Sequence, residues 1–172
     1  MRTIRLYGDP VLREKAKPVL EVYNAIRELA QEMLVTMYRE EGVGLAAPQV
    51  GVLKRLIVVD PEPKEGEQRP LALINPAILD QQGQTVAEEG CLSFPEVYCD
   101  IARAERVRAQ YVDLDGKEQV IEAEGWLARV IQHELDHLDG VLLVDRMSRM
   151  QRQLLHNQLR KIRARATTAR PA

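Results

Sequence analysis

The sequence is poor in aromatic residues and contains only two cysteines, and each shortage excludes a class of protein. Phe, Trp and Tyr make up 4% of the 172 residues, so a surface on which nucleic-acid bases stack is not expected. Cys91 and Cys99 are too few for a disulfide framework and indicate a reducing compartment. The sequence has no apolar run of membrane-spanning length and no signal-peptide pattern at its start. We therefore expect a cytoplasmic protein that binds neither DNA nor a membrane.

Acidic residues are missing from the last part of the chain. Residues 146–172 contain eight Lys/Arg and no Asp or Glu, whereas the remainder contains sixteen basic and twenty-six acidic residues. The length predicts a single domain, 1–172, whose segment 146–172 is a basic helix with a partner of its own. One stripe of this helix is basic and consists of Arg149, Arg152, His156, Arg160 and Arg163. The residues expected to pack inward are Met150, Leu154, Leu155, Leu159 and Ile162.

The strongest chemical signal is the stretch 132–137. Apolar residues recur around it at intervals of three and four, and Gly140 follows as a stop signal, which predicts a helix. On a helix, His133 and His137 lie on one face within reach of a single metal ion. Glu134 lies beside them, where its carboxylate can hold a metal-bound water and act as a general base. The spacing therefore predicts a catalytic metal site.

Two histidines do not complete such a site, and the residues alone leave the third ligand open. Leu143 stands where one class of H-E-x-x-H protease has a third histidine, and no acidic residue follows Asp145. An ordinary protease is therefore disfavoured, and the ligand is either upstream or His156. Cys91 is a sensible upstream candidate because a thiolate binds metal well and Gly90 leaves room for it, although a lone cysteine is more often a buried apolar residue.

Other stretches predict helices, strands and turns around this site. Residues 26–37 have helical spacing and predict an N-terminal helix that ends by Gly42, whereas residues 1–19 are irregular. Strands are expected at 56–59, 71–74, 77–79, 106–112 and 118–123, with a polar surface loop at 61–70. Pro76 is expected to interrupt the second and third of these strands, and Asp115-Gly116 predicts a hairpin between the last two.

A run of small residues occupies positions 42–49. Its glycines loosely match a dinucleotide-binding fingerprint, but a helix precedes the run and Pro48 lies within it, so that interpretation fails. What remains is a stretch that another backbone can approach closely, at Gly42 and Gly44. Gln49 at its end adds one neutral amide donor.

Three stretches together resemble the signature motifs of the peptide deformylases, in the same order: residues 42–49, 89–93 and 132–137. The resemblance implies an α+β fold in which antiparallel strands pack around the helix that carries H-E-x-x-H, with an N-terminal and a C-terminal helix. It implies Cys91, His133 and His137 as ligands of Fe2+, which Ni2+, Co2+ or Zn2+ can replace. Glu134 is then the acid/base, and the Gln49 amide and the Leu92 N–H bind the oxyanion.

The resemblance also implies the substrate, which is the formylmethionine at the start of a newly made polypeptide. Metal-bound water attacks the formyl carbon, and formate is released. The peptide is expected to run as an added strand along Gly42 and Gly44. The residues expected to form or border the substrate site are Val43, Glu89, Gly90, Trp126, Arg129 and Val130. Arg129 is alternatively an arginine at the rim with its charged head in solvent. The basic C-terminal helix is expected to bind the ribosome.

Two other functions are consistent with the same residues. One is a different metallohydrolase, such as an aminopeptidase, which would act on free rather than formylated peptides. The other is a binding module whose metal is structural, in which case Cys99 or His156 would close the coordination shell.

Overall fold

A computed structural model describes residues 1–61 and 69–168, so most of the surface loop expected at 61–70 lies outside the described residues. The α-helices are α1 Asn24–Arg39, α2 Gly125–Leu138, α3 Leu143–Arg146, α4 Arg149–Leu154 and α5 His156–Thr168. The strands are β1 Gly44–Ala46, β2 Leu56–Val59, β3 Leu71–Gln82, β4 Thr85–Cys91, β5 Phe94–Arg103, β6 Arg106–Val112 and β7 Glu118–Glu124. Short 3-10 helices lie at Pro10–Arg13 and Ala47–Val50. No helix in the described parts of the chain has the length and apolar character that a bilayer span requires.

The strands form two antiparallel sheets. Five strands pair in the order β1-β2-β3-β6-β7, and β4 and β5 pair only with each other. The hairpin expected around Asp115-Gly116 is β6–β7, with Arg106 opposite Glu124 and Val112 opposite Glu118. The α+β architecture with antiparallel strands around the H-E-x-x-H helix is therefore confirmed.

Strand β2 shows how the larger sheet holds both long helices. Side chains alternate across a strand. Accordingly, Ile57 and Val59 belong to a core cluster with Ile131 and Leu138 of α2. Leu56 and Val58 pack instead into a cluster with residues of α1, such as Met33. Because the sheet is covered on both faces here, β2 is an uninterrupted apolar run.

The predicted break at Pro76 is wrong, since β3 continues through it. The register shifts between Ile74 and Ala77, which is how a strand accommodates a residue without an N–H. Asn75, at a positive φ of 50°, turns its side chain away from the ladder. Its amide exchanges two hydrogen bonds with the backbone of Val19, at 2.8 and 2.7 Å, so the irregularity anchors the N-terminal segment.

The C-terminal segment differs from the single helix predicted for it. Leu155 interrupts it, so α4 and α5 are separate helices. Met150 and Leu154 are 72% and 78% exposed, and their predicted inward packing is wrong. Leu159 and Ile162 are buried as predicted, in a cluster with Leu12, Phe94 and Ile101. The five members of the basic stripe are all exposed.

The irregular first residues connect the three motif-bearing parts of the chain. The backbone N–H of Arg5 donates to Gln49 O at 2.7 Å, and that of Tyr7 donates to Ser93 O at 2.9 Å. The N–H of Ala16 donates to Leu138 O at the end of α2, at 2.9 Å. The Tyr7 ring also stacks on Phe94 with 4.7 Å between ring centroids. This segment therefore fixes the distances between motifs that are far apart in sequence.

Candidate active site

Helix α2 carries His133, Glu134 and His137 into the interior of the protein. Its opposite face packs into the core of the larger sheet through Ile131 and Leu138. His133, Glu134 and His137 are all buried. A helix that buries histidines and a carboxylate together needs partners for them, because an unpaired buried polar group is costly.

Cys91 supplies the third side chain from the end of β4. Its Sγ lies 3.3 Å from His137 Nε2, and the ligand atoms of Cys91, His133 and His137 all lie within 4.8 Å of one another. His156 is exposed on α5, and Cys99 is buried on β5. Neither belongs to this cluster of three. Two imidazoles and a thiolate form a donor set that can hold a metal ion.

Two buried polar atoms at this cluster have no hydrogen-bond partner among the described residues, Glu134 Oε2 and His137 Nδ1. Burial raises the pKa of the Glu134 carboxyl to about 7, although the positive charges of His133 and Arg103 lower it. A carboxyl group with a pKa near neutrality suits proton transfer in both directions. The unpaired oxygen and the raised pKa of Glu134 fit a bound ligand that donates a proton to this carboxylate.

Glu89 holds the outer nitrogen of one histidine. Its Oε1 lies 3.2 Å from His133 Nδ1, which leaves His133 Nε2 for the cluster. Arg103 Nε donates to both Glu89 oxygens, at 3.1 and 3.0 Å. Burial alone would raise the pKa of Glu89, but its hydrogen bonds to His133 and Arg103 lower it to about 2. Glu89 lines the cleft that opens over this cluster, but its carboxylate is paired with His133 and with arginines.

Gln49 is buried beside the cluster and fixed in orientation. Its Oε1 accepts a hydrogen bond from Ala46 N at 2.9 Å. Its Nε2 donates to Ser93 Oγ at 3.1 Å and lies 3.5 Å from Cys91 Sγ. Leu92 directly follows Cys91 at the β4–β5 turn and lines the same cleft. Two neutral donors, the amide of Gln49 and the N–H of Leu92, therefore belong to residues that border the cleft.

A cleft of about 540 Å³ opens over the cluster. The other residues expected in the substrate site all line it: Gly42, Val43, Gly44, Glu89, Gly90, Trp126, Arg129 and Val130. The backbone of Gly44 passes very close to the Glu134 carboxylate, since a Cβ at this position would lie 2.6 Å from Glu134 Oε1. A larger cavity, of about 760 Å³, borders α2 at Gln132 and Asp136 and contains none of the three clustered side chains.

Comparison with known proteins identifies the family. The family model described as polypeptide deformylase matches residues 1–153. The chain belongs to the polypeptide deformylase family. It is 49% identical to the peptide deformylase of Thermodesulfovibrio yellowstonii over 157 residues, covering 91% of this chain and 95% of the relative. It is 50% identical to that of Alkalilimnicola ehrlichii over 159 residues, covering 92% and 89%.

Solved deformylase structures share the fold. The peptide deformylase of Thermus thermophilus matches with a TM-score of 0.89 and 42% identity, over 96% of this chain and 99% of that one. The peptide deformylase of Synechococcus elongatus, solved in complex with actinonin, matches with a TM-score of 0.88 and 44% identity, over 99% and 92%. Both cover nearly the whole chain, so the deformylase fold extends beyond the three motifs.

The side chain of Arg129 is in the interior of the protein and not at the rim of the cleft. It is buried, and its Nη1 donates to Ile101 O at 2.7 Å. Its Nη2 donates to Thr85 O at 3.0 Å and to Thr85 Oγ1 at 2.9 Å. The interpretation of Arg129 as an arginine with its head in solvent is therefore wrong. Its guanidinium fastens α2 to the β4–β5 hairpin.

The sequence did not reveal the roles of three polar residues near this site, namely Ser93, Arg103 and Asp136. Ser93 orients Gln49, and Arg103 reaches from Glu89 to Asp136, where its Nη1 donates at 2.7 Å. The signal for Arg103 was an arginine at an inward-facing position of a strand, which is rarely buried without a carboxylate partner. Within β5, Arg103 continues the alternation of Val97, Cys99 and Ile101, which marks its position as inward-facing.

Proposed function

We propose that the chain acts in the cytoplasm as a metal-dependent hydrolase that removes the formyl group from the N-terminal formylmethionine of newly made polypeptides. Membership of the family and relatives named peptide deformylase support this reaction. The observation that carries the proposal is the convergence of Cys91, His133 and His137 at a cleft where Glu134 has a free carboxylate oxygen.

The donor set fits a divalent metal, which Cys91, His133 and His137 would hold. Three protein ligands leave a position open for reactants, as in catalytic rather than structural sites. We propose Fe2+, with Ni2+, Co2+ or Zn2+ as substitutes. When bound, such an ion is a Lewis acid that polarises the formyl carbonyl and makes water a better nucleophile.

The chain's own residues move the protons and bind the developing charge. Glu134 takes a proton from the attacking water and returns it to the departing amine, for which its unpaired carboxylate oxygen is available. The Gln49 Nε2 and the Leu92 N–H stabilise the charge on the formyl oxygen. Gln49 needs no reorganisation for this task, because Ala46 and Ser93 already hold its amide. The products are formate and a free N-terminus.

The cleft accommodates the start of a peptide. Strand β1 is an edge strand, and we propose that the substrate backbone lies along it at Gly42 and Gly44. Val43, Trp126 and Val130 form the methionine pocket. On the facing side of the cleft there is no room for a side chain at Gly90, since a Cβ there would lie 2.7 Å from the Tyr98 ring. Main-chain pairing of this kind accepts many sequences after the first residue.

The reaction is tested with protein purified anaerobically and loaded with iron. We expect hydrolysis of formyl-Met-Ala-Ser, and none of Met-Ala-Ser or its acetylated form. Because a thiolate beside ferrous iron is readily oxidised, activity of the iron form should decay in air while a nickel form persists. Release of methionine from Met-Ala-Ser would indicate an aminopeptidase instead. A metal-loaded protein that hydrolyses none of the three would indicate a structural metal.

We also propose that the basic stripe on α4 and α5 binds ribosomal RNA. The support is that its residues are exposed and that no acidic residue of the segment offsets them. A deformylase must meet nascent chains, and phosphate contacts would place it near them. Removing the segment is a poor test because Leu159 and Ile162 belong to the core. Point substitutions are therefore needed.

The expected result is that Arg152→Gln with Arg160→Gln pellets less with ribosomes at low salt than the wild type does. The matched control is Arg106→Gln with Arg108→Gln, an equal charge change at two exposed side chains of β6. The wild-type binding constant should fall with salt by about one unit of log–log slope per phosphate contact. Equal pelleting of the two double variants would contradict the proposal.

A further inference from the structure

We infer that Arg129 is a positioning residue that holds Glu89, and through Glu89 the metal ligand His133, so that it controls how long the metal is retained. This inference rests on the proposed function. It gives Arg129 a role different from that of a wall of the methionine pocket.

The geometry around Glu89 is the first support. Arg103 approaches from β5 and contacts both carboxylate oxygens, with its Nη2 3.0 Å from Oε1. Arg129 approaches from α2 and donates through Nη1 to Oε2 at 3.3 Å. The oxygen that faces His133 Nδ1 is Oε1. Two guanidiniums from different elements therefore determine how the carboxylate is rotated against the imidazole.

Arg103 does not use its whole guanidinium to hold the Glu89 carboxylate. Its Nη1 donates to Asp136 Oδ2 at 2.7 Å, and Arg146 also binds the Asp136 carboxylate, donating to Oδ1 at 2.6 Å. Motion of Asp136 would therefore be transmitted to Glu89. Arg129 supplies the second attachment, which prevents the carboxylate from following Arg103.

The remaining donors of Arg129 connect the two elements that carry metal ligands. They bind Thr85 at the start of β4 and Ile101 in β5, while Cys91 ends β4. Arg129 itself lies four residues, about one helical turn, before His133 on α2. All these contacts are buried or partly buried, so their loss leaves acceptors unpaired. A planar fork is required to bind a carboxylate and two carbonyls at once, and lysine lacks it.

The test measures metal release from protein loaded with Co2+. The thiolate-to-cobalt absorption reports the bound ion, and its decay in excess chelator gives the release rate. Partners that orient a ligating histidine typically change metal affinity 10–100-fold. We expect Arg129→Met to release cobalt about tenfold faster than the wild type does. Arg129→Lys keeps the charge without the fork and should also release it faster.

Two variants separate this role from general loosening of the hairpin. Thr85→Val removes one hydrogen bond of Arg129 but leaves its contact with Glu89, and cobalt release should match the wild type. In Glu89→Gln the partner itself is altered, so adding Arg129→Met should accelerate release no further. Additive effects of the two substitutions would overturn the inference.

A pocket variant gives the contrasting outcome. Val130→Ala should raise the Michaelis constant for formyl-Met-Ala-Ser and leave cobalt release unchanged. If both Arg129 variants show this same pattern, Arg129 is a pocket residue and the inference is overturned. A wild-type protein that binds no cobalt would overturn the proposed function itself, which is a different failure.

Discussion

Glu134→Ala should yield a folded protein that keeps its metal and loses most of its activity. The carboxylate lies beside the Cys91, His133 and His137 cluster but is not one of its three members. Its free oxygen is the only part of the side chain that we assign to proton transfer. General acid–base groups contribute roughly 10²–10⁴ in rate, so kcat should fall by that order. The measurements are metal content and the rate of formate release.

The matched control is His137→Ala, which should lose both metal and activity. Glu134→Gln keeps the shape of the side chain and should behave like Glu134→Ala, since an amide cannot accept the proton. A Glu134→Ala protein that folds normally but contains no metal would mean that Glu134 is a ligand. The proposed division of roles would then be wrong.

Gly44→Ala should impair catalysis severely while leaving the fold intact. A Cβ at Gly44 would lie 2.6 Å from Glu134 Oε1 and 2.8 Å from Val130 Cγ1. Both distances are too short for carbon contacts, so the added methyl must displace the catalytic carboxylate or the pocket wall. A displacement near 1 Å can cost about 10² in rate. We therefore expect kcat/KM for formyl-Met-Ala-Ser to fall by roughly a hundredfold.

Gly116→Ala is the control, because it makes the same chemical change far from the cleft. Nothing lies within 4 Å of a Cβ there, but the backbone has a φ of +79°. Its cost should be about 1 kcal/mol in the free energy of unfolding, with unchanged kcat/KM. If Gly44→Ala loses stability and keeps activity in the same way, the close approach to Glu134 has no catalytic meaning.

The parts of the fold that sequence could predict are those with a clear period. The helical spacing around His133 and the alternation on both sides of Asp115-Gly116 predicted α2 and the β6–β7 hairpin. The site was predictable because H-E-x-x-H has a mechanism behind its spacing. The third member of the cluster was not fixed by spacing, since Cys91 comes from β4 and not from the helix that carries both histidines. Only the resemblance to deformylases distinguished it from His156.

Strand β4 was missed because its sequence hides its period. Strand β4 contains Glu88, Glu89 and Gly90, residue types that are depleted in strands. Glu89 faces inward although it is charged, because Arg103 and Arg129 pair with it there. A buried ionic cluster inverts the usual polar-out pattern. The pattern therefore gave no indication of which side of β4 faces the protein.

The N-terminal segment has a consequence for when the site can form. Arg5, Tyr7 and Ala16 bond to Gln49, Ser93 and Leu138, so the contacts of this segment close loops that reach from about forty to more than a hundred residues of chain. Leu12 also needs Leu159 and Ile162 of α5 to complete its cluster. Closing such long loops costs conformational entropy, and the contacts that offset this cost form only when both ends of the loop are present. Residues 5–16 can therefore complete their contacts only when Leu138 and α5 are in place, and we expect the site to form late in folding.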